Sequence, residues 1–277
     1  MNPLEKQLLK SSFAAGAFIK IMKSLNTGFR KENIAMFHTG RCGSTVLGNL
    51  LNQHPEIKWS GEIFAQMPKK YAGCHWCMEE PLKLLQLRMY KDRARYYGFE
   101  TKATKDKHLK EGWVNMELSA YIKALVDLGY GRFMILERKN YLRKLVSTLI
   151  GRKTGMLHTT SQKKDIVLVQ IDLQNVLNKE KDPKTLLQYF EDLENHYAEL
   201  QLLLSKHEPL YLTYEGDILN NPILSYEKIC SYLGIPIHPV NIKHKRTNPF
   251  ELSQLIENYE AVAEVMQNTK YAWMLET

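Results

Sequence analysis

Residues 34–64 read IAMFHTGRCGSTVLGNLLNQHPEIKWSGEIF, and they constrain this chain more than any other stretch. A short apolar run, Ile34-Ala35-Met36-Phe37, ends in a polar turn from His38 to Gly43. Ser44 and Thr45 then open an apolar-periodic segment carrying Val46, Leu47, Leu50 and Leu51. The pattern predicts a strand, a glycine turn and a helix with Ser44 as its N-cap. A helix that starts from a strand's carboxyl end in this way holds anions. Its first amides have no partner inside the helix, and its dipole favours negative charge there. Gly40 and Gly43 let the backbone approach the anion without a Cβ in the way. Arg41 adds a fork of donors matched to phosphate or sulfate, and Ser44 and Thr45 add hydroxyls.

Neither common nucleotide loop fits these residues. The triphosphatase loop needs a Lys before the hydroxyl pair and two glycines five apart; here Cys42-Gly43 precedes Ser44, and Gly40 and Gly43 are three apart. The dinucleotide fingerprint G-x-G-x-x-G also fails. The turn TGRCGSTVL instead resembles the 5′-phosphosulfate loop of sulfotransferases that use 3′-phosphoadenylyl sulfate (PAPS), in particular the bacterial branch that includes trehalose sulfotransferase. The resemblance implies that Arg41, Cys42, Gly43, Ser44 and Thr45 hold the phosphosulfate, Cys42 through its N–H because many relatives carry Ser there. It also implies an α/β fold with a P-loop-like, mostly parallel five-stranded sheet flanked by helices, and a helical insert or lid.

Sulfuryl transfer needs a base for the acceptor's proton. Glu62 follows the short strand-like Ile57–Trp59, and the family places a glutamate there in a G-E-x-F context. An efficient base at that position needs its pKa raised towards neutral by burial. His108 and His75 are alternative bases, since another branch uses His. Lys102, after the strand-like Phe99-Glu100-Thr101, is a candidate for the sulfonate or the acceptor, and His108 is a second candidate for acceptor contact.

A second anchor follows the apolar Phe133-Met134-Ile135-Leu136. In the family, a basic residue at this strand's end and a Ser one to two helical turns later contact the 3′-phosphate. A spacing of eight selects Lys139 with Ser147; a spacing of nine selects Arg138. Lys245 and Arg246 lie where relatives fold a basic loop across the nucleotide. PAPS, charged at both ends, requires two anion sites on neighbouring strand tips, and PAP is the product; no metal is needed. A P-loop kinase has no use for the second site. The formal charge of +8 suits a polyanion but equally suits nucleic acid. The cations are spread along the chain without an aromatic-interleaved stripe, so charge alone does not discriminate; no nucleic-acid partner is expected, and a P-loop kinase and a basic nucleic-acid-binding protein are the alternative readings.

The remaining segments set expectations for organisation. The 277 residues, 44% hydrophobic, make a single domain. Residues 1–28 read as a helix whose apolar side packs on its own domain or on a second subunit, with a membrane-surface role as the alternative. Residues 66–130 read as a partly helical acceptor-side insert, and 150–183 as a mobile loop. Five strands alternating with helices argue for a parallel sheet. Cys74-His75-Trp76-Cys77 lacks the second ligand pair of a zinc site and reads as reduced cysteines. No apolar run reaches membrane-spanning length and no signal peptide is seen, so the expected location is cytoplasmic. The expected acceptor is a small soluble molecule. The chain also resembles sulfotransferases that tailor cyanobacterial alkaloid toxins of the saxitoxin type, which implies an alkaloid hydroxyl or carbamoyl nitrogen, with Glu62, Glu79, Glu80 and Glu100 pairing with its charge.

Overall fold

In the computed structural model, which describes residues 3–26, 28–66, 71, 73–110, 113–155, 165–178, 182–244 and 249–276, five strands form one sheet. They are β1 (Glu32–Phe37), β2 (Ile57–Trp59), β3 (Tyr96–Thr101), β4 (Tyr130–Glu137) and β5 (Leu210–Thr213), in the order β2-β3-β1-β4-β5. Every pairing is parallel. A parallel sheet needs both faces covered, and the side-chain alternation supplies them. Ile34 and Met36 join Met134, Leu136 and Leu212 in one core; Ala35 and Phe37 join Phe99, Phe133 and Ile135 in the other.

After β1 the chain passes to the β3 side of the sheet, and it crosses to the opposite side only with β4. The carboxyl ends of β1 and β4 therefore meet where the winding reverses, which is where open α/β sheets leave a crevice. Helix α3 (Ser44–Leu51) leaves β1 there, and the Tyr141–Thr154 helix leaves β4 beside it.

Several expectations change. The N-cap of α3 is Gly43, with φ 84° and no side-chain cap bond. Ser44 is the first helical residue, and its hydroxyl bonds to Glu100 instead. The N-terminal helix is two pieces, α1 (Pro3–Leu8) and α2 (Ser12–Asn26), and α2 packs on the Pro81–Lys91 helix. Cys74 and Cys77 form a disulfide, because they flank the first turn of the His75–Glu79 helix; Cys42 and Cys230 are free and buried. The supposed loop 150–183 begins as helix, which Gly155 ends in the left-handed conformation. Residues 156–164 lie outside the described residues, but 165–178 is tied down. Val169 forms a parallel bridge with Ile256, and the Ile171 N–H donates to Asn258 Oδ1 at 3.0 Å. The insert also contributes β3 to the sheet, so it is partly scaffold. Lys245 and Arg246 lie outside the described residues.

Candidate anion-binding cleft

The turn between β1 and α3 takes a conformation that few residues tolerate. Gly40, Arg41 and Gly43 all have positive φ, at 87°, 58° and 84°. For the two glycines this is nearly free; for Arg41 it costs roughly 1–2 kcal/mol. Such strain persists where the surroundings impose it, typically at a binding site. Gly43 is also sterically fixed, since a Cβ there would stand 2.8 Å from Ile218 Cγ2.

The two anchors read from sequence meet. Arg41 Nε donates to Ser147 Oγ at 2.9 Å, and Arg138 Nη1 donates to the Arg41 carbonyl at 3.1 Å. Arg138 stacks on Tyr214, 4.5 Å from the ring centre. Its buried Nε has no hydrogen-bond partner. Burial works against the charge of both guanidinium groups and lowers their pKa values. Two cations are thus held together in a partly dehydrated cleft of about 840 Å³, with Ser44, Thr45, Trp59 and Glu62 also on its wall. That volume suits a nucleotide-sized ligand.

The structure separates Arg138 from Lys139. Arg138 continues the face of Leu136 and enters the cleft. Lys139 points the other way, its ammonium 2.8 Å from Glu137 Oε2 and over the Tyr211 ring, so it does not line the cleft as the spacing of eight predicted. The Cys42 side chain is also turned inward, fully buried in the core and bonded to His38.

A carboxylate end lies beside this cationic one. Glu62 Oε2 pairs with Lys102 Nζ at 2.8 Å, and Lys102 Cε lies 3.0 Å from where a Cβ on Gly40 would stand. Lys102 therefore spans from Glu62 to the turn. Behind them is a buried network that the sequence reading missed. His38 Nε2 is 3.3 Å from Glu100 Oε2, the Trp59 indole donates to Glu100 Oε1 at 2.8 Å, and the Gly40 N–H donates to His38 Nδ1 at 3.0 Å. The signal was available: His38 follows directly on a strand, and Glu100 is a carboxylate inside an otherwise apolar one. Burial opposes a charge on His38, but Cys42, Glu100 and Glu62 outweigh it and hold its pKa up to about 10. The Gly40 bond pulls against full protonation, because an accepting nitrogen carries no proton. Nε2 carries a proton in either state and lies close to Glu100 Oε2 without a well-aligned hydrogen bond to it.

This network reverses one expectation. Burial pushes the Glu62 carboxyl up, but His38 and Lys102 outweigh it and leave it below the usual carboxylate range rather than near neutral. Glu62 is ionised at neutral pH and ready to accept a proton. His38, Glu62 and Glu100 each present a ligand atom within 4.8 Å of the others, and of the three Glu62 pairs with the Lys102 ammonium. His108 is poorly suited as base. Its Nδ1 accepts the Lys102 N–H at 2.9 Å, so a neutral ring carries its proton on Nε2, 3.9 Å from Glu62. His75 is exposed on the insert and does not line the cleft. Of the four acidic residues expected to pair with a cationic acceptor, Glu62 and Glu100 line the cleft, and the other two do not. Glu80 pairs with Lys83, Glu79 is not on the cleft wall, and Glu100, though on the wall, is largely buried and takes the Trp59 indole N–H.

Buried His108 and half-buried His196 make stability pH-dependent on the acid side. Burial lowers His108 from 6.5 to about 3 and His196 from 6.5 to about 4. The unfolded chain therefore binds more protons below pH 6.5, and stability falls as pH drops from there. For His108 the loss by pH ~4 is on the order of 3 kcal/mol. Urea midpoints should decline over this window, and His196→Phe should flatten the decline.

Comparison with known proteins bears on the fold. No family model matches the chain, and no curated protein matches it by sequence. Among solved structures, a sulfotransferase from Alicyclobacillus acidocaldarius superposes with a TM-score of 0.52 over 89% of this chain and 94% of that one, at 14% identity. The architecture is thus the sulfotransferase fold, as the sequence predicts.

Proposed function

We propose that the protein is a PAPS-dependent sulfotransferase acting on a hydroxyl, amine or carbamoyl nitrogen of a small acceptor. The observation that carries this reading is the contact between the anchors. Arg41 and Arg138, from the tips of adjacent strands, stand in one cleft with Ser147 bonded to the first. Two clustered cations call for a ligand with two anionic groups close together, which adenosine 3′,5′-bisphosphate (PAP) supplies. In this reading Arg41, Thr45 and the turn amides hold the phosphosulfate, while Arg138 and Ser147 hold the 3′-phosphate. Ser44 serves through its backbone, since its hydroxyl is committed to Glu100. Trp59, Ile218 and Pro222 offer apolar surface to the base.

The reaction follows from the carboxylate end. An acceptor placed between Glu62 and the sulfur gives its proton to Glu62 as its oxygen or nitrogen bonds to sulfur. The bond from sulfur to the bridging oxygen breaks, and the electron pair leaves with PAP. Lys102 neutralises the charge that grows on that oxygen. Natural-product tailoring is one setting for such a small acceptor; an alkaloid cation would find Glu62 already paired.

Calorimetric titration with PAP tests the nucleotide assignment. PAP should bind without metal, and Arg138→Gln should weaken it roughly 10- to 100-fold through loss of a charged hydrogen-bond donor. Preference for ATP–magnesium would favour a kinase. Binding to mixed-sequence nucleic acid with a steep salt dependence, and none to PAP, would favour a nucleic-acid protein.

A further inference from the structure

Helix α2 packs only one side. Ala15, Ile19 and Asn26 are buried, while Phe13, Ile21 and Leu25 are 87%, 59% and 65% exposed. With exposed Ala17 they form one ridge at four-residue spacing, 13-17-21-25, which is continuous on a helix surface. Phe29 extends it past the helix end, with the Arg93 guanidinium 5.0 Å over its ring. The other exposed large apolar residues are scattered through the chain from Val126 to Trp273, and single exposures of that kind are ordinary.

The charge along this ridge is predominantly cationic, with Glu5 and Glu32 just outside it in sequence and Glu32 paired with Arg132. From Lys6 to Lys31 the sequence holds six cationic side chains and no carboxylate. Arg30 is turned inward, onto the carbonyls of Met89 and Asp92. Lys6, Lys10, Lys20, Lys23 and Lys31 are exposed. Lys20 stands directly beside Ile21, Lys10 lies ahead of Phe13, and Lys31 and Arg93 lie at the Phe29 end. On the neighbouring Pro81–Lys91 helix, Glu80 at the N-cap is bonded to Lys83 and Ser12. A second copy laid on this ridge would bring two rows of lysines together, which disfavours self-association. An anionic lipid surface satisfies both features, taking the apolar ridge among its acyl chains and the lysines among its headgroups.

We infer that α2 is an in-plane membrane contact through which the protein docks on anionic bilayer surfaces, independently of what the cleft binds. The contact is peripheral: among the described residues no helix is long and apolar enough to cross a membrane.

The test is co-sedimentation of the full chain with phosphatidylcholine vesicles, with and without phosphatidylserine. The protein should sediment with the phosphatidylserine vesicles, stay in solution with phosphatidylcholine alone, and be released by salt. Ile21→Ser and Leu25→Ser should each lower the partition coefficient about tenfold, and Lys20→Gln about fivefold. These side chains are exposed, so far-UV circular dichroism and PAP titration of the variants should match the parent. Absence of binding to anionic vesicles, or variants that bind as the parent does, overturns the inference. So does a concentration-dependent dimer in sedimentation velocity that Ile21→Ser dissociates, which would make the ridge a self-interface. Failure to bind PAP would count against the proposed function and leave the vesicle result standing.

Discussion

Glu62→Gln should leave PAP affinity unchanged and lower turnover about 10²- to 10⁴-fold, the range for loss of a general base. The substitution keeps the shape of the side chain and removes its ability to take a proton. The Lys102 ammonium loses its ion pair but stays within reach of the Glu62→Gln side-chain oxygen, so the nucleotide end of the cleft is undisturbed. The pH dependence carries the same signature. A base works only when deprotonated, so the rate falls as pH drops through its pKa. His38 and Lys102 hold Glu62 below the usual carboxylate range. The parent's turnover should therefore stay level from neutral into weakly acidic pH and decline only below the range of an ordinary glutamate. The measurement is sulfuryl transfer from radiolabelled PAPS to the acceptor that a screen with the same label returns. Undiminished turnover in Glu62→Gln would remove Glu62 from the mechanism and move attention to the acceptor's own ionisation.

The low pKa has a chemical consequence. A weakly basic carboxylate suits a reaction in which the acceptor proton moves late, after sulfur has begun to leave the bridging oxygen, because the acceptor becomes acidic only as its bond to sulfur forms. Lys102 fits this picture, since it sits between Glu62 and the turn and counters charge at both places.

The strands and the anion turn were legible because their signals are local. A continuous apolar run, two glycines and an arginine lie within the ten residues from Ile34 to Gly43, and such runs between helical segments point to a parallel sheet. Glu62's surroundings were not legible for the opposite reason. His38 follows β1, Glu100 and Lys102 stand at the end of β3, and Glu62 follows β2, so only the pairing of β3 with both β1 and β2 brings them together. The ambiguity between Arg138 and Lys139 had a local answer in strand alternation. Leu136 faces the side on which α3 packs, so Arg138, two residues on, faces it too. Lys139 shares its side with Glu137, which holds it. The Cys74–Cys77 bond was missed because composition speaks to compartment, whereas the first turn of a helix brings residues three apart within bonding reach.

Gly98→Ala should be among the most damaging single-methyl additions in the chain. Gly98 lies in β3 directly opposite Trp59 of β2, and the benzene half of the indole rests on it. A Cβ there would stand 2.1 Å from Cζ3 and 2.2 Å from Cε3. The ring cannot retreat, because its pyrrole half presses on Gly48 of α3, where a Cβ would stand 2.8 Å from Cδ1 and Nε1. The Trp59 backbone is clamped as well, its N–H donating to Asn52 Oδ1 and its carbonyl accepting from Asn52 Nδ2, both at 2.9 Å. Overpacking of a core costs typically ~1–3 kcal/mol, and a ring fixed on both sides places this case at or beyond the upper end. For a chain of this size that is a fall in Tm of roughly 5–10 °C or failure to fold. Gly73→Ala is the control, since Gly73 has nothing within 4 Å and its φ is not positive, and its Tm should not move. If Gly98→Ala does fold, the displaced indole no longer donates to Glu100, and the His38–Glu100 network beneath Glu62 loosens with it. Adding Trp59→Leu relieves the clash, so the double variant should be more stable than the sum of the two single losses. Simple additivity would mean that Trp59 does not press on Gly98, and that the two glycines flanking the ring are not what holds this wall of the cleft in place.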